Sequence, residues 1–176
     1  MTTEERSRLE SLDTVLRSPN VRAQIRPIVE RVRAELARKK TALMTWESVP
    51  LTIFGSALPA QVQSAWVFVL RAGADTGAER HPNSHQRMMS FRGSGDMRTG
   101  ESEQAQSNVL ISNPDAPMER RWISIPQNVW HRPVVGAEAD WVVVSFHTVP
   151  AEELIEERPN NPTNDGTKQM RYLEEK

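Results

Sequence analysis

Four residues whose side chains could bind a metal ion or move a proton lie close together in one polar stretch. Residues 73–93 read GADTGAERHPNSHQRMMSFRG, and two histidines, a glutamate and a glutamine fall within eight of these positions. Glu79 and His81 are separated by one residue, so an extended backbone points both side chains to the same side. The pair is either part of a metal site, or a polar loop in which Glu79 pairs with Arg80 or Arg92 and the histidines only pack.

A third candidate ligand lies far downstream, in the segment IPQNVWHRP. His131 follows Pro126 and Asn128, which indicate a turn just before it. If the two segments converge inside a β-structure, Glu79, His81 and His131 make a set of two imidazoles and one carboxylate. This set leaves open coordination positions on iron.

The elements that must position these residues change type near residue 41. Before it, apolar residues recur at helical spacing, which predicts two helices, the second bent or restarted at Pro27. After it, short β-forming segments separated by turns predict a sandwich or barrel. The predicted strands are 42–49, 64–71, 86–92, 96–99, 108–112, 121–125 and 140–147.

Composition excludes several classes of function. The chain has 176 residues, and its net charge of −1 argues against general nucleic-acid binding. Because it has no cysteine, disulfides, thiolate metal sites and a cysteine nucleophile are excluded. The N-terminus lacks the apolar run of a secretory signal, and no apolar stretch approaches the roughly 18 residues of a membrane helix. We therefore expect a cytoplasmic protein with no membrane or nucleic-acid partner.

The two polar segments resemble the paired motifs of the cupin superfamily over roughly residues 64–149. In the first motif, G-x5-H-x-H-x3/4-E-x6-G, glutamate replaces the first histidine and glutamine replaces the glutamate. Every spacing of that motif is kept, at Gly73, Glu79, His81, Gln86 and Gly93.

The second motif, G-x5-P-x-G-x2-H-x3-N, keeps its proline and histidine at Pro126 and His131. Asn128 stands where the motif has glycine, and asparagine tolerates the left-handed backbone that this turn needs. Arg120 and Val135 depart from the motif at its two end positions.

The cupin resemblance implies a β-barrel of the jelly-roll type and a bound divalent metal ion. Fe(II) is the expected ion, with Mn, Ni or Zn as alternatives. The implied ligands are Glu79, His81, His131 and Gln86. His85 is either a ligand in place of Gln86 or a turn residue hydrogen-bonded to backbone.

A more local resemblance is to the thiol (cysteine) dioxygenases, whose H-x-[DN]-S-H pattern is matched by the segment HPNSH that begins at His81. Ser145 and His147 resemble that family's Ser-x-His pair, which lies close to the iron and orients the substrate. The resemblance implies that these two are catalytic residues; otherwise His147 is a core histidine. Val149 replaces the family's active-site tyrosine, and Glu79 replaces its first iron histidine, so a cysteine substrate is not carried over.

The sequence therefore predicts a mainly β, cupin-type protein with two N-terminal helices. Its predicted parts are a helical extension (1–41), the barrel (42–157) and a polar tail (158–176) that is mobile or covers a partner, with a helical turn or two in AEELIEE after Pro150. Three functions stay open: a mononuclear, oxygen-using metalloenzyme for a small polar molecule, a cupin isomerase or epimerase, and a non-catalytic ligand-binding cupin. The N-terminal helices are expected to pack on the barrel or to form a homodimer.

Overall fold

The chain begins with two α-helices and continues as a mainly β structure. The computed structural model describes residues 1–101, 104–159, 167–171 and 173. The helices are α1 (Thr3–Arg17) and α2 (Pro19–Arg38). The strands are β1 (Met44–Ser48), β2 (Ser64–Leu70), β3 (Gln86–Arg92), β4 (Ser94–Thr99), β5 (Val109–Ile111), β6 (Trp122–Ile125), β7 (His131–Val134), β8 (Trp141–His147), β9 (Ile155–Pro159) and β10 (Thr167–Arg171). The predicted mainly β class with two N-terminal helices is confirmed.

Local signals set the ends of the helices. Thr2 caps α1, because its Oγ1 accepts a hydrogen bond from the backbone N–H of Glu5 at 3.2 Å. Pro19 is the first residue of α2, where its fixed φ suits the helix. α2 runs through Pro27 as one element and is not restarted there. In the described part of the chain, no helix combines the length and the apolar composition needed to cross a membrane.

The larger sheet has five antiparallel strands in the order β1-β2-β8-β3-β6. Its central strands β2 and β8 are buried along their whole length, because both faces of the sheet are covered. On the outer face, Val67 and Val144 share an apolar cluster with Leu12 of α1. On the inner face, Phe68 and Val143 belong to a second cluster, which lies between the two sheets.

The smaller sheet has the order β5-β4-β7, and the segment that precedes β3 extends it. Glu79 in this segment pairs with His131 of β7 on one side. Arg80 pairs with Glu157 of β9 on the other side. The segment thus lies between β7 and β9, with its even and odd residues on opposite faces.

Gly93 makes the corner at which the chain passes from β3 in the larger sheet to β4 in the smaller one. Its φ is +80°, and a Cβ added there would lie 2.7 Å from the carbonyl oxygen of Asp140, so glycine fits where a side chain would clash. Among the described residues, no backbone ladder joins the edges of the two sheets. The predicted barrel is therefore two facing layers that apolar packing holds together, without continuous hydrogen-bonded closure.

The C-terminal region differs from its prediction. Only Ala151–Glu153 forms a short 3-10 helix, and the rest of AEELIEE enters strand β9, because Arg80 and Glu157 exchange two backbone hydrogen bonds of 3.0 and 2.9 Å. Within the predicted polar tail, β10 pairs with β9 in an antiparallel ladder, so that part is not mobile chain. Residues 160–166, 172 and 174–176 of the tail lie outside the described residues. The division of the chain at residues 41 and 157 stays a prediction.

Candidate metal centre

Backbone pairing brings the two predicted motifs together. Glu79 and His131 are directly opposite each other and exchange two backbone hydrogen bonds of 2.8 Å. Directly opposed residues of an antiparallel pair place their side chains on the same face. Asn128 adopts the left-handed conformation that its glycine-like position predicts, with φ of 63°. Its N–H donates to the carbonyl of His81 at 3.1 Å, so the turn before β7 is attached to the first motif.

The side chains of Glu79, His81 and His131 meet in a buried space between the sheets. One ligand-type atom from each of the three lies within 4.8 Å of the others. The three residues are 5%, 2% and 1% exposed, respectively. Glu79 Oε1 lies 3.4 Å from His131 Nε2. The structure therefore brings together three of the four predicted ligands as one cluster, the metal triad.

Hydrogen bonds to backbone carbonyls fix both imidazoles. Nδ1 of His81 lies 3.0 Å from the carbonyl oxygen of Ile155, and Nδ1 of His131 lies 3.0 Å from that of Val129. A carbonyl only accepts, so each Nδ1 carries a proton, and in the neutral form of each ring Nε2 carries the lone pair. An outer hydrogen bond of this kind is the usual way in which a protein sets the tautomer of a metal-binding histidine.

Electrostatics keep Glu79 and His81 in the protonation states that metal binding requires. Burial, with the neighbouring His131, lowers the pKa of His81 to about 4, while Glu79 opposes the shift. Burial acts to raise the pKa of the Glu79 carboxyl, but His131, Arg158 and His81 outweigh it, and this pKa lies below its usual value. Near neutral pH the site therefore holds an ionised carboxylate beside a neutral His81.

Gln86, the fourth predicted ligand, begins β3 and lies beside the triad. Its Nε2 donates to Ser145 Oγ at 3.1 Å, whereas its Oε1 is buried and has no hydrogen-bond partner among the described residues. Gln86 and Glu79 line one small pocket with mostly apolar neighbours. Those neighbours are Met44, Phe68, Leu70, Met88, Met97, Pro133 and Val143.

Ser145 and His147, the predicted catalytic residues, lie next to this pocket on β8. The His147 ring packs edge-on against the His81 ring, with 5.0 Å between centroids. Its Nε2 lies 2.9 Å from Ser145 Oγ, and its Nδ1 lies 3.3 Å from Ser84 Oγ. Burial, with His81 nearby, holds the pKa of His147 well below its usual value, so the ring is neutral. One chain of hydrogen bonds therefore runs from Gln86 through Ser145 and His147 to Ser84.

His85 is not part of the triad. Its ring faces α1, where Nε2 lies 2.7 Å from Ser124 Oγ and 3.6 Å from Glu5 Oε1. Its backbone N–H donates to Thr148 Oγ1 at 3.0 Å. The ring of His85 therefore bonds a side chain and not the expected backbone, and it points to the opposite side of the sheet from Gln86.

Sequence reasoning missed the basic partner of Glu79. Arg158 Nη2 lies 3.0 Å from Glu79 Oε2, whereas Arg80 and Arg92, the partners considered from the sequence, pair with Glu157 and Glu30. Arg158 belongs to β9, which was predicted as helix and tail. Only the alternation of side chains along β9 could have signalled this position, and that signal needs the strand to be recognised first.

No protein-family model matches the chain, and no curated protein matches it. Solved structures to which it is similar include the oxalate decarboxylase of Lactobacillus farciminis in complex with formate, at 14% identity over 61% of this chain and 29% of that one, with a TM-score of 0.46. The 11S globulin from Wrightia tinctoria matches at 17% identity over 66% of this chain and 27% of that one, with a TM-score of 0.49.

KdgF from Halomonas sp. matches at 12% identity over 61% of this chain and 82% of that one, with a TM-score of 0.44. The chain spans less than a third of the decarboxylase and globulin chains. These neighbours are cupin-family structures, the superfamily that the two sequence motifs resemble.

Proposed function

We propose that the protein is a metal-dependent enzyme whose ion is bound by the metal triad. One observation carries the proposal: two Nε2 lone pairs and a carboxylate oxygen converge in a buried space, because both Nδ1 protons are committed to backbone carbonyls. His131 Nε2 is buried, and it lies 3.4 Å from Glu79 Oε1. Electron-pair donors so close together repel one another unless a cation lies between them.

Fe(II) is the ion that we propose, with Mn, Ni or Zn as alternatives. Two histidines and one carboxylate with open positions are typical of non-haem Fe(II) oxygenases. Such an ion, when bound, would supply a Lewis acid with open positions for a substrate and for O2. We therefore infer a mononuclear, dioxygenase-like enzyme.

The residues around the triad support a small polar substrate. Apolar side chains such as Phe68, Met88 and Val143 line the pocket and exclude bulk water. Gln86 presents an amide oxygen there, which is suited to a fourth ligand position or to a substrate N–H or O–H. Ser145 and His147 are proposed to orient the substrate and to hold its proton, because burial keeps His147 neutral and its Nε2 lies 2.9 Å from Ser145 Oγ.

A second function, isomerisation or epimerisation without O2, is favoured by the same neutral His147. A buried imidazole held 2.9 Å from a serine hydroxyl is a competent general base for abstracting a substrate proton. His131 serves that role only if it is not a metal ligand. A purified protein that turns over in the presence of chelator would select this function, and ligand binding without turnover would select a non-catalytic cupin.

Metal analysis of the purified protein, followed by anaerobic Fe(II) titration, tests the proposal. The expected result is one tightly bound divalent ion per chain, lost in His131→Ala, whose two remaining ligands hold it poorly. O2 uptake by the Fe(II)-loaded protein identifies the oxygen-using enzyme. Gln127→Ala, at an exposed position in the turn before β7, is the matched control and should bind as wild type. Equal metal content in wild type and His131→Ala would contradict the proposal.

The remaining expectations about partners rest on sequence alone. We propose that the protein is cytoplasmic and that the exposed faces of α1 and α2 serve packing or homodimer formation, with no nucleic-acid partner. Light scattering on the purified protein distinguishes a dimer from a monomer. Salt-sensitive DNA binding at physiological ionic strength would contradict the prediction about nucleic acid.

A further inference from the structure

Strand β9 supports two of the three residues of the metal triad from outside. Its Ile155 carbonyl accepts from Nδ1 of His81 at 3.0 Å, and its Arg158 donates to Glu79 Oε2 at 3.0 Å. Both contacts follow from the backbone pairing of Arg80 with Glu157, which places Arg158 on the same face of the smaller sheet as Glu79.

Arg158 reaches three different acceptors, one from each of its nitrogens. Nε donates to the Glu156 carboxylate on its own strand, and Nη1 donates to the carbonyl of Thr76 at 3.0 Å. Nη2 donates to Glu79 Oε2. The guanidinium therefore fixes both the side chain of Glu79 and the backbone of the loop that leads to it. A planar group with fixed donor directions holds a carboxylate in one orientation, which a flexible ammonium does not.

The two oxygens of Glu79 are thereby divided between two tasks. Oε2 accepts from Arg158, and Oε1 lies 3.4 Å from His131 Nε2, on the side of the histidines. Without Arg158 the carboxylate could rotate about its last torsion, and its buried negative charge would lose its nearest basic partner.

We infer that Arg158 is the positioning residue of the metal centre, which holds Glu79 with one oxygen directed at the ion and offsets the charge of this carboxylate. The inference rests on the proposed metal function and names a residue outside the four predicted ligands. Because the arginine offsets the carboxylate, an ion bound by the triad would retain more of its attraction for an anionic substrate than Glu79 alone would allow. A small carboxylate or other anion is therefore the substrate class that this centre favours.

Arg80 provides a matched control on the opposite face of the same pairing. Its Nε lies 2.7 Å from Glu157 Oε2, and its side chain is 28% exposed, against 29% for Arg158. Arg80 also holds β9 to the same segment, but it contacts neither Glu79 nor the histidines in any described hydrogen bond. Arg80 also lies over the Trp130 ring, with 4.7 Å between Cζ and the ring centroid, so its loss reports the structural value of the ion pair and this cation–π contact together.

The experiment compares Arg158→Met, Arg158→Lys and Arg80→Met in urea unfolding without metal, in Co(II) titration and in the visible spectrum of the Co(II)-loaded protein. Arg158→Met should weaken Co(II) binding about 10–100-fold, as loss of an outer hydrogen-bond partner does, and should change the spectrum. Arg80→Met should lose similar stability but keep the wild-type affinity and spectrum. Arg158→Lys should bind Co(II) more tightly than Arg158→Met but less tightly than wild type, since lysine keeps the positive charge but not the planar arrangement of N–H donors.

An affinity and spectrum of Arg158→Met equal to those of Arg80→Met would overturn the inference and leave the metal function standing. A wild-type protein that binds no Co(II) and no Fe(II) would overturn both. Should Arg158→Met fail to fold, Arg158→Lys against Arg80→Lys decides in the same way: equal Co(II) affinities overturn the inference, and a weaker Arg158→Lys supports it. A carboxylate probe, formate, should perturb the Co(II) spectra of wild type and Arg158→Lys at lower concentration than that of Arg158→Met, because only Arg158→Met loses the positive charge.

Discussion

Two groups of buried polar side chains lie on opposite faces of the five-stranded sheet, and they differ in how their hydrogen bonds are satisfied. On the outer face, Asp13 of α1 accepts from Arg121 and from Trp122 Nε1, the latter at 2.9 Å. Glu5 accepts from Arg87 at 2.6 and 2.8 Å and from Ser124 Oγ at 2.6 Å. Every carboxylate oxygen of this outer group has a donor.

The inner group, the metal triad, is built from similar residue types with the opposite balance. Arg158 donates to one oxygen of Glu79, and the three residues each place one ligand-type atom within 4.8 Å of the others. Burial of a charge is stabilising only when partners replace the lost water. Complete pairing indicates that the outer group attaches α1 to the sheet. In the inner group, two imidazole nitrogens and one carboxylate oxygen converge in the arrangement that the proposed ion would occupy.

The largest expected effect is on Fe(II) affinity, when one glutamate in each group is replaced by glutamine. Glu79→Gln should weaken anaerobic Fe(II) binding by more than the roughly 10–100-fold that loss of an outer partner costs, because a ligand charge is removed. Glu5→Gln is the matched control, at a buried glutamate that also pairs with arginine. It should leave the Fe(II) affinity unchanged. Equal Fe(II) affinities of wild type and Glu79→Gln would rule out a ligand role for Glu79.

Removal of Asp13 should show the stability held by the outer group. Asp13→Ala leaves the buried guanidinium of Arg121 and the indole N–H of Trp122 without their acceptor, at a cost of about 3–5 kcal/mol in the free energy of unfolding. Urea unfolding measures this loss, and metal content is measured on the folded variant at low temperature. Asp115→Ala, at an exposed aspartate, controls for the loss of a surface charge. A loss of bound metal in folded Asp13→Ala would break the separation of the two groups.

The outer group should also make stability depend on pH in the acid range. Burial acts to raise the pKa of Glu5, but the hydrogen bonds from Arg87 and Ser124 prevail and lower it from 4.5 to about 2. A carboxyl whose folded pKa is depressed stabilises the fold above its unfolded pKa, and this stability is lost as the pH falls through the folded value. Up to about 3 kcal/mol should therefore disappear between pH 4.5 and 2.

Urea unfolding of the metal-free protein at several pH values between 5 and 2.5 measures this slope. Glu5→Gln should flatten it, because the substituted amide does not titrate. Glu10→Gln, at an exposed position on the same helix, should leave the slope as in wild type. A slope that is the same in Glu5→Gln and in wild type would assign the acid sensitivity to other carboxyls.

The smallest effect is expected at Arg92, which the sequence offered as a partner for Glu79. Arg92 pairs instead with Glu30 at the surface, where the two side chains are 59% and 60% exposed. Exposed pairs of this kind contribute about 0–1 kcal/mol. Arg92→Ala should therefore change neither metal content nor, beyond that range, the unfolding free energy. A loss of metal in this variant would indicate that Arg92 is the partner of Glu79 and would contradict the assignment of Arg158 to that role.

The sequence predicted the parts of the site that local rules control. Glu79 and His81 face the same way because they are two residues apart in extended chain, and Asn128 takes the left-handed turn that its motif position requires. Periodicity did not indicate strand β7, because Pro133 within it weakens the strand signal, but the turn at Pro126 and Asn128 correctly predicted that a strand starts at His131. The fold class followed from periodicity. Within the part of the chain that the structure describes, no ladder closes the two sheets, and this depends on long-range pairing that periodicity does not report.

Strand β9 was missed for a different reason. Glu156 and Glu157 are 3% and 4% exposed, although glutamate in sequence indicates a solvent-exposed position. Their burial depends on Arg158 and on Arg80, and Arg80 lies 77 positions away from Glu157. A single sequence contains no trace of such a pairing. The sequence therefore predicted Glu79 and His81 as site residues but could not predict that β9 holds their side chains in place.

The attachment of α1 has a consequence for the order of events during synthesis. The buried partners of Glu5 and Asp13 lie 82 and 108 positions further along the chain, so both carboxylates emerge from the ribosome well before Arg87 and Arg121. An isolated helix of 15 residues is marginal in water, and contacts of such separation form late. Until the sheet is complete, only α2 and the segment that follows β1 can cover the apolar side of this helix. The two buried ion pairs that attach α1 are therefore expected to form only after β3 and β6 are in place.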